Sequence, residues 1–565
     1  MNNNTGFSTI RSRLIGPAIA IILAGCSTEG ALPASSDLTV SESKTGPAIV
    51  SVLVEGSSFH GIHGLTTDTD GNIYVGSVVG MNIHKVNPRT SEVTLFQPAP
   101  EGQADDLEFS ADGTLAWTAF TQGKVFSRDR QGSIMLLAEG LPGINSIAYN
   151  QQGRLFATQV FLGDALYEID PQGIKPARKI IEGMGGLNGF DFGPDGKLYG
   201  PLWFKGQIAQ VDVDTGELNI IADGFTVPAA VNFDSKGVLH VIDNETGEIF
   251  QVAINSGEKS LIATAPSNLD NLAFDANDNL YITNMSDNAI YRVDRENGTV
   301  EPIVGGSLST PAGIDIFGDT LYIADTFSLS KADTTSGVVS DISRIISDHE
   351  YPVAVSATEK TIVSASTNAG FVQGHDRLTS ERTFRWTGFS APSGVLAREN
   401  GSVIVAETGS GKVLLVTSET ERKVLADNLD QPIGLAEDTD GKIYVAEAGS
   451  GAIKIIDIDK GTVTSWIDGL NGPEGIEFDT DGLLIIAEVA ARQVISISPN
   501  KNITVIASNL PIGLKGYPML PDSFLPTGIS VDAANRIYLS SDIDNSILLI
   551  ERAPLETKSQ QIPGN

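Results

Sequence analysis

Five polar side chains recur at one position of a repeating unit in the first half of the chain: His63, Asp105, Asn145, Asn188 and Asp270, with Ala229 in the remaining place. Successive members lie about 41 residues apart. Two carboxylates and two amide oxygens are hard donors. Drawn to one axis, they would repel one another unless a cation lay between them. The set suits Ca2+, with Mg2+ or Mn2+ as alternatives, because it holds no thiolate and at most one imidazole. In such a site Asp270 or Asp105 would serve as general base or nucleophile, and His63 as a proton shuttle. The alternative is a polar channel that holds ordered water and nothing else.

The elements that must bring these residues together are short strands. A phrase recurs along the chain: a small residue, Gly, an aliphatic residue, then Asp/Asn-Gly and a short β run, as in Asp440-Gly441-Lys442-Ile443-Tyr444-Val445. Twelve copies of about 41 residues fill the chain from about 47 to 556. Each copy reads as four strands parted by turn residues; copy ten gives Ile433–Glu437, Lys442–Ala446, Ala452–Asp457 and Thr462–Ile467. Four strands per copy is the pattern of a β-propeller blade. Twelve blades in one ring would leave a wide unfilled axis. Two tandem six-bladed propellers are therefore expected, with seven plus five as the weaker partition. The polar residues named above begin the innermost strands of the first ring, at one mouth of its channel. The matching places in the second ring are mostly small or apolar: Ala312, Val353, Ser393, Ile433, Glu474 and Thr527. The run Ala48–Val54 is expected to close the first ring on its sixth blade, and Thr299–Val304 the second ring on its twelfth. That puts the first propeller at 47–298 and the second at 299–556, before a polar tail at 557–565.

The phrases Pro392-Ser393-Gly394-Val395, Pro432-Ile433-Gly434-Leu435 and Pro473-Glu474-Gly475-Ile476, with Val405-Ala406-Glu407 and Val445-Ala446-Glu447 after two of them, resemble NHL-type propellers and the family of senescence marker protein, gluconolactonase, paraoxonase and diisopropyl fluorophosphatase. Asn188-Gly189-Phe190 before Gly193-Pro194-Asp195-Gly196 is similar to that family's metal-binding turn. Asp270-Asn271 looks like the paraoxonase Asp-Asn pair, and His63-Gly64-Leu65 resembles its His-Gly-Ile segment. The resemblance implies that Asp105, Asn145, Asn188 and Asp270 ligate a catalytic divalent cation, and it adds Asn271 to the substrate contacts. Two departures bear on this ligand set: His63 stands where the family has Glu, and Ala229 interrupts the ring. The activity implied is hydrolysis of a lactone, ester or phosphoester.

The loop between second and third strands should rise at the same mouth. In the first ring it carries Phe120, Phe161 and Trp203, an apolar rim suited to a small-molecule substrate. Glu407, Glu447 and Glu488 recur at one blade position of the second ring and read as turn-bonding residues. A similar Glu in streptogramin lyase keeps elimination open as an alternative, although no catalytic His accompanies it here. A non-enzymatic scaffold that binds a partner protein or glycan is the other alternative, and under the hydrolase reading the second ring would be a scaffold or recognition module.

Of 565 residues, 70 are acidic and 37 basic, a formal charge of −33. Nucleic-acid binding is excluded on that balance, since phosphate contact needs clustered Lys and Arg. Arg11 and Arg13, the apolar run Leu14–Leu23 and Leu23-Ala24-Gly25-Cys26 resemble a bacterial lipoprotein signal over residues 1–25. Cys26, the single cysteine, is then the lipidation site and the only membrane attachment expected. Ser27 resembles the signal for sorting to the outer membrane, and residues 26–46 form a Ser/Thr-rich tether. The segment Ala507–Pro526 is longer than other connections and is expected to lie over the second ring's mouth or between the rings.

Overall fold

A computed structural model describes residues 40–41, 48–344, 351–516 and 523–552. The signal, the tether around Cys26 and the tail lie outside the described residues, apart from the strand Val40–Ser41. Among the described residues all regular structure is strand, and no helix is long and apolar enough to cross a membrane. The strands form twelve four-stranded antiparallel sheets, numbered here as blades 1 to 12 in chain order, with Val40–Ser41 added in parallel to the outer edge of blade 11.

Blade 10 shows how the repeat folds. Pro432–Glu437, Ile443–Glu447, Ala452–Asp457 and Thr462–Ile467 pair in chain order. The first turn is made by Asp438, whose carboxylate accepts the backbone N–H groups of Asp440 and Lys442 at 2.9 Å each. Gly441 in that turn has φ 78°, a conformation that favours a residue without a side chain. Ile443, Val445 and Ile456 then pack on Ile404 and Val413 of blade 9. Each such side chain contributes about 1.5–3 kcal/mol through burial, and the same contact is repeated around both wheels.

First strands of neighbouring blades also bond through their backbones, Gly64 N to Asp105 O and Val231 N to Gly189 O, both at 2.7 Å. The glycine of the repeated phrase allows this approach: a Cβ on Gly434 would stand 2.0 Å from Glu474 O on blade 11. Blade 6 packs back on blade 1 through Ile62, Leu65, Val75, Ala273 and Tyr281. Blade 12 packs back on blade 7 through Ile314, Leu321, Ile323 and Tyr538. The protein is thus two tandem six-bladed propellers.

Closure differs from the expectation. Val300–Val304 pairs with Ala289–Val293 and completes blade 6. Ile49–Val54 pairs antiparallel with Ser546–Glu551 and completes blade 12, the last blade of the second ring. Ring one, 62–304, is therefore inserted between the first strand of ring two and the rest of it, 311–551. The reason is local. The turn Glu296-Asn297-Gly298, bonded to the Asp294 carboxylate, makes Val300–Val304 a hairpin with the strand before it, and a short loop closes at lower entropic cost than a distant one. Ser546–Glu551 is the last strand described, so its outer partner comes from upstream.

The seam between rings joins blades 1 and 6 to blades 7 and 12. Asn288 Nδ2 donates to Ser309 O at 3.4 Å, Asn545 donates to Ser57 O at 3.2 Å, and Arg344 pairs with Asp287. His60 Nε2 lies 3.0 Å from the carbonyls of both Asp542 and Ile543. The described part of the long segment lies over ring two: Gly513 and Leu514 donate to the Asp542 carboxylate at 2.9 and 2.7 Å.

Candidate functional site

In blades 1, 3 and 6 a β-bulge falls at the repeat position that carries His63, Asn145 and Asp270. The pairing of first and second strands slips between Ile62 and Leu65, between Ile144 and Ile147, and between Leu269 and Leu272. His63, Asn145 and Asp270 fall within these slips. A bulge re-aims one side chain out of the regular alternation, here toward the axis shared by six blades.

Asp105 and Asp270 meet there. Asp105 is buried and Asp270 partly so, and neither carboxylate receives a hydrogen bond or ion pair from a described residue. Burial pushes Asp270 up to about 7. Burial, followed by the charges of Asp270 and Asp106, holds Asp105 well above the usual carboxylate range. A buried charge without a partner is costly, so this pair retains a proton or takes a cation. Beside it, Asn145 Oδ1 and Asn188 Oδ1 lie 2.9 and 3.0 Å from the hydroxyl of Ser146. That hydroxyl has one proton to give, which leaves acceptor capacity on the amide oxygens. The donor chemistry of these four residues fits a hard divalent ion. No group of three His, Cys, Asp or Glu able to hold a metal occurs among the described residues, so the fit depends on both asparagines.

His63 is held by Nδ1 against Gly61 O at 3.0 Å. A carbonyl only accepts, so Nδ1 carries the proton and Nε2 is the basic atom. Burial lowers its pKa to about 4, and the imidazole is neutral at pH 7. Its ring packs edge-on against Phe327 at 5.5 Å between centroids.

Phe120, Phe161 and Trp203 cluster across blades 2, 3 and 4. Phe161 stands 6.4 Å from Phe120, 5.6 Å from Trp203 and 5.8 Å from Phe204, ring centre to ring centre. Trp203 is buried against Ala229 and Ala230, whereas Phe161 and Phe204 are 38% and 59% exposed. Asn271, expected among the substrate contacts, stands beside the acidic pair but is bonded within the fold. Its Nδ2 donates to Asp106 Oδ1 and its Oδ1 accepts Leu272 N, both at 2.8 Å, so its polar atoms are used within the fold.

Glu407 and Glu447 accept the backbone N–H groups of Ser390 and Asp430 at 2.9 Å each, and Glu488 that of Asn471 at 2.8 Å. All three fasten the chain entering their own blade, which is the structural role read from the repeat. His240 is buried against Phe274.

Several residues were not singled out by the repeat. Asp106 sits where most other copies carry Gly or Ala, and where copies three and six carry Ser146 and Asn271. Three residues past the mouth, Glu108 and Asp191 form a deeper acidic layer, raised by burial to about 8 and about 6. Glu477 and Asp315 hold the matching places in ring two, also raised to about 8 and about 6. Extending the copy-by-copy comparison by three residues would have found this layer. A polar cavity of about 320 Å³ between blades 1 and 6, lined by residues that include Asp70, Arg89, Asp275 and Arg292, contains none of the channel-mouth residues.

Fold and site define a tandem β-propeller protein with an acidic, aromatic-rimmed mouth on its inserted ring. Among solved structures, the chain is similar to the extracellular domain of BT4673 from B. thetaiotaomicron, at 13% identity over 90% of this chain and 78% of that one, with a TM-score of 0.31. It is also similar to XC5397 from Xanthomonas campestris, a gluconolactonase, at 17% identity over 46% of this chain and 96% of that one, with a TM-score of 0.36. No family model and no curated protein sequence matches the chain. The propeller assignment rests on the strand pairing itself.

Proposed function

We propose that the mouth of ring one is the site of a divalent-cation-assisted hydrolase acting on a lactone, ester or phosphoester. The observation that carries this reading is the Asp105–Asp270 pair: two carboxylates on different blades, near enough for the charge of one to act on the other, with no hydrogen-bond or ion-pair donor to either among the described residues. Asn145 and Asn188 would complete an oxygen donor set for Ca2+, with Mg2+ or Mn2+ able to replace it. The ion, when bound, supplies polarisation of the carbonyl or phosphoryl oxygen and stabilises the charge that develops there. His63 would take the proton of the attacking water at Nε2, and Asp270 or Asp105 is the alternative base or nucleophile. Phe120, Phe161 and Trp203 would hold the apolar part of the substrate. A lipid on Cys26 would keep the protein at the cell envelope.

The test is metal content and thermal shift of the purified protein with and without chelator, beside a panel of lactones, aryl esters and organophosphates. Turnover that needs Ca2+, Mg2+ or Mn2+, and is lost in both Asp270→Ala and Asn188→Ala, is expected. Activity retained in both variants would remove the site. A second reading, a binding scaffold without catalysis, is favoured by the lack of three clustered ligand-type side chains among the described residues. It predicts no bound metal and no shift. The elimination reading loses its candidate, since the Glu407, Glu447 and Glu488 carboxylates are engaged in turn bonds.

A further inference from the structure

Ring two contributes a wall to the mouth of ring one. Phe327 lies in the turn between Thr320–Asp325 and Ser328–Asp333 of blade 7, and it is 3% exposed. It leaves its own ring's surface and packs with Val79 of blade 1 and Met285 of blade 6, two residues of the loops that rim ring one. Its backbone carbonyl accepts the Ser286 hydroxyl of blade 6 at 2.8 Å. Gly61 makes room for the ring, for a Cβ there would stand 2.8 Å from Phe327 Cε2. Tyr351, also of ring two and 38% exposed, packs edge-on against Phe327 at 5.8 Å between centroids. The aromatic rim of ring one is thus present on blades 2, 3 and 4 through its own residues. On the side of blades 1 and 6, next to His63, the aromatic ring comes from ring two.

We propose that Tyr351, positioned by the buried Phe327 against which it packs, is a specificity-determining residue of the ring-one site, forming with the Phe120–Phe161–Trp203 cluster the two sides of a pocket for the bulky apolar part of the substrate. The proposal rests on the hydrolase reading above and sharpens it. The site is composite, and ring one alone would present it open on the His63 side. The insertion of ring one between strands of ring two holds this wall in register, because the chain enters and leaves ring one through blades 12 and 7. An apolar wall next to His63 also favours a substrate whose uncharged, bulky group lies on the His63 side, and it gains little from a small lactone that cannot reach it.

The test uses the full chain and compares Phe327→Leu and Tyr351→Ala with wild type. Turnover is measured on a small unsubstituted lactone and on one bearing an aryl or long acyl group. Binding of the corresponding non-hydrolysable lactams is followed by isothermal titration calorimetry. The expected result is a KM for the bulky substrate raised about 5- to 20-fold more than the KM for the small lactone in the same variant, because uniform binding of the bulky group is lost. Tyr351 is half-exposed, so its variant keeps the test valid should Phe327→Leu lower the melting temperature. Equal KM values for both substrates in both variants, with hydrolysis intact, would overturn the composite pocket and leave the hydrolase reading standing. Lactam binding weakened in the variants without any hydrolysis by wild type would do the reverse. Wild type that neither binds nor hydrolyses would overturn both.

Discussion

Asn271 Nδ2 donates to Asp106 Oδ1 at 2.8 Å, a bond that runs from blade 6 to blade 2 past the blade between them. It can pass because Gly64 of blade 1 has no side chain: a Cβ there would lie 2.6 Å from that same oxygen and 2.5 Å from Asp105 O. Asp106 also accepts Leu107 N at 2.9 Å and Ile147 N at 3.1 Å. One carboxylate therefore ties three blades of a ring that closes without exchanging a strand. Asn271→Ala leaves this buried acceptor short of a donor and should cost about 1–3 kcal/mol. Gly64→Ala should cost at least about as much, since the added methyl meets backbone. Urea denaturation with unchanged slope measures both, and a loss below about 0.5 kcal/mol for each would show the tie to be dispensable.

The strand Ile49–Val54 belongs to ring two although it precedes ring one. Removing residues through 54 should expose Ser546–Glu551 as an edge and loosen blade 12, while blades 2 to 5 keep every strand. Hydrogen exchange should show protection lost at Ile547 and Leu549 and kept across Ile144–Tyr149. Equal loss in both rings would mean that the wheels unfold as one unit.

Phe161 has φ 66°, a left-handed conformation that costs a residue with a side chain about 1–2 kcal/mol. Held there while 38% exposed, it contributes to the rim rather than to the core. Phe161→Gly should be more stable than Phe161→Ala by about 1 kcal/mol, and both should weaken binding of apolar substrates by a similar factor. Thermal melts of the two variants, set beside their KM values, separate backbone strain from ring contact.

Glu474 is buried at the mouth of ring two, accepts Thr527 N at 2.6 Å, and is pushed up to about 8 by burial. A carboxyl raised in the folded state favours the fold below its ordinary pKa, and that contribution is lost as pH rises through the folded value. Stability should therefore fall between about pH 4.5 and about pH 8, by about 1.4 kcal/mol for each pH unit separating the two states. Glu474→Gln keeps an acceptor for Thr527 and should be the more stable protein at pH 8 but not at pH 4. Parallel melting curves for the two proteins across that range would contradict the assignment.

Much of the architecture was legible in the residues. The spacing of Asp-Gly turns and alternating apolar runs is a local signal, and each blade is built from local hairpins; blade 10 begins and ends within a residue or two of where its turn residues put it. The shared place of His63, Asp105, Asn145, Asn188 and Asp270 in the repeat was likewise readable from the spacing, and at His63, Asn145 and Asp270 a bulge recurs with it. Three things were decided only by the tertiary structure. Ile49–Val54 and Val300–Val304 have the same outer-strand pattern, and which blade each completes depends on loop closure and on which edge stands vacant. Asn271 and Asp106 are 165 positions apart, and only ring closure brings them into contact. Phe327 lies at a loop position of the second half that no periodicity distinguishes. Packing of one wheel against the other turns it toward His63, since a long-range contact leaves no trace in the spacing of its own segment.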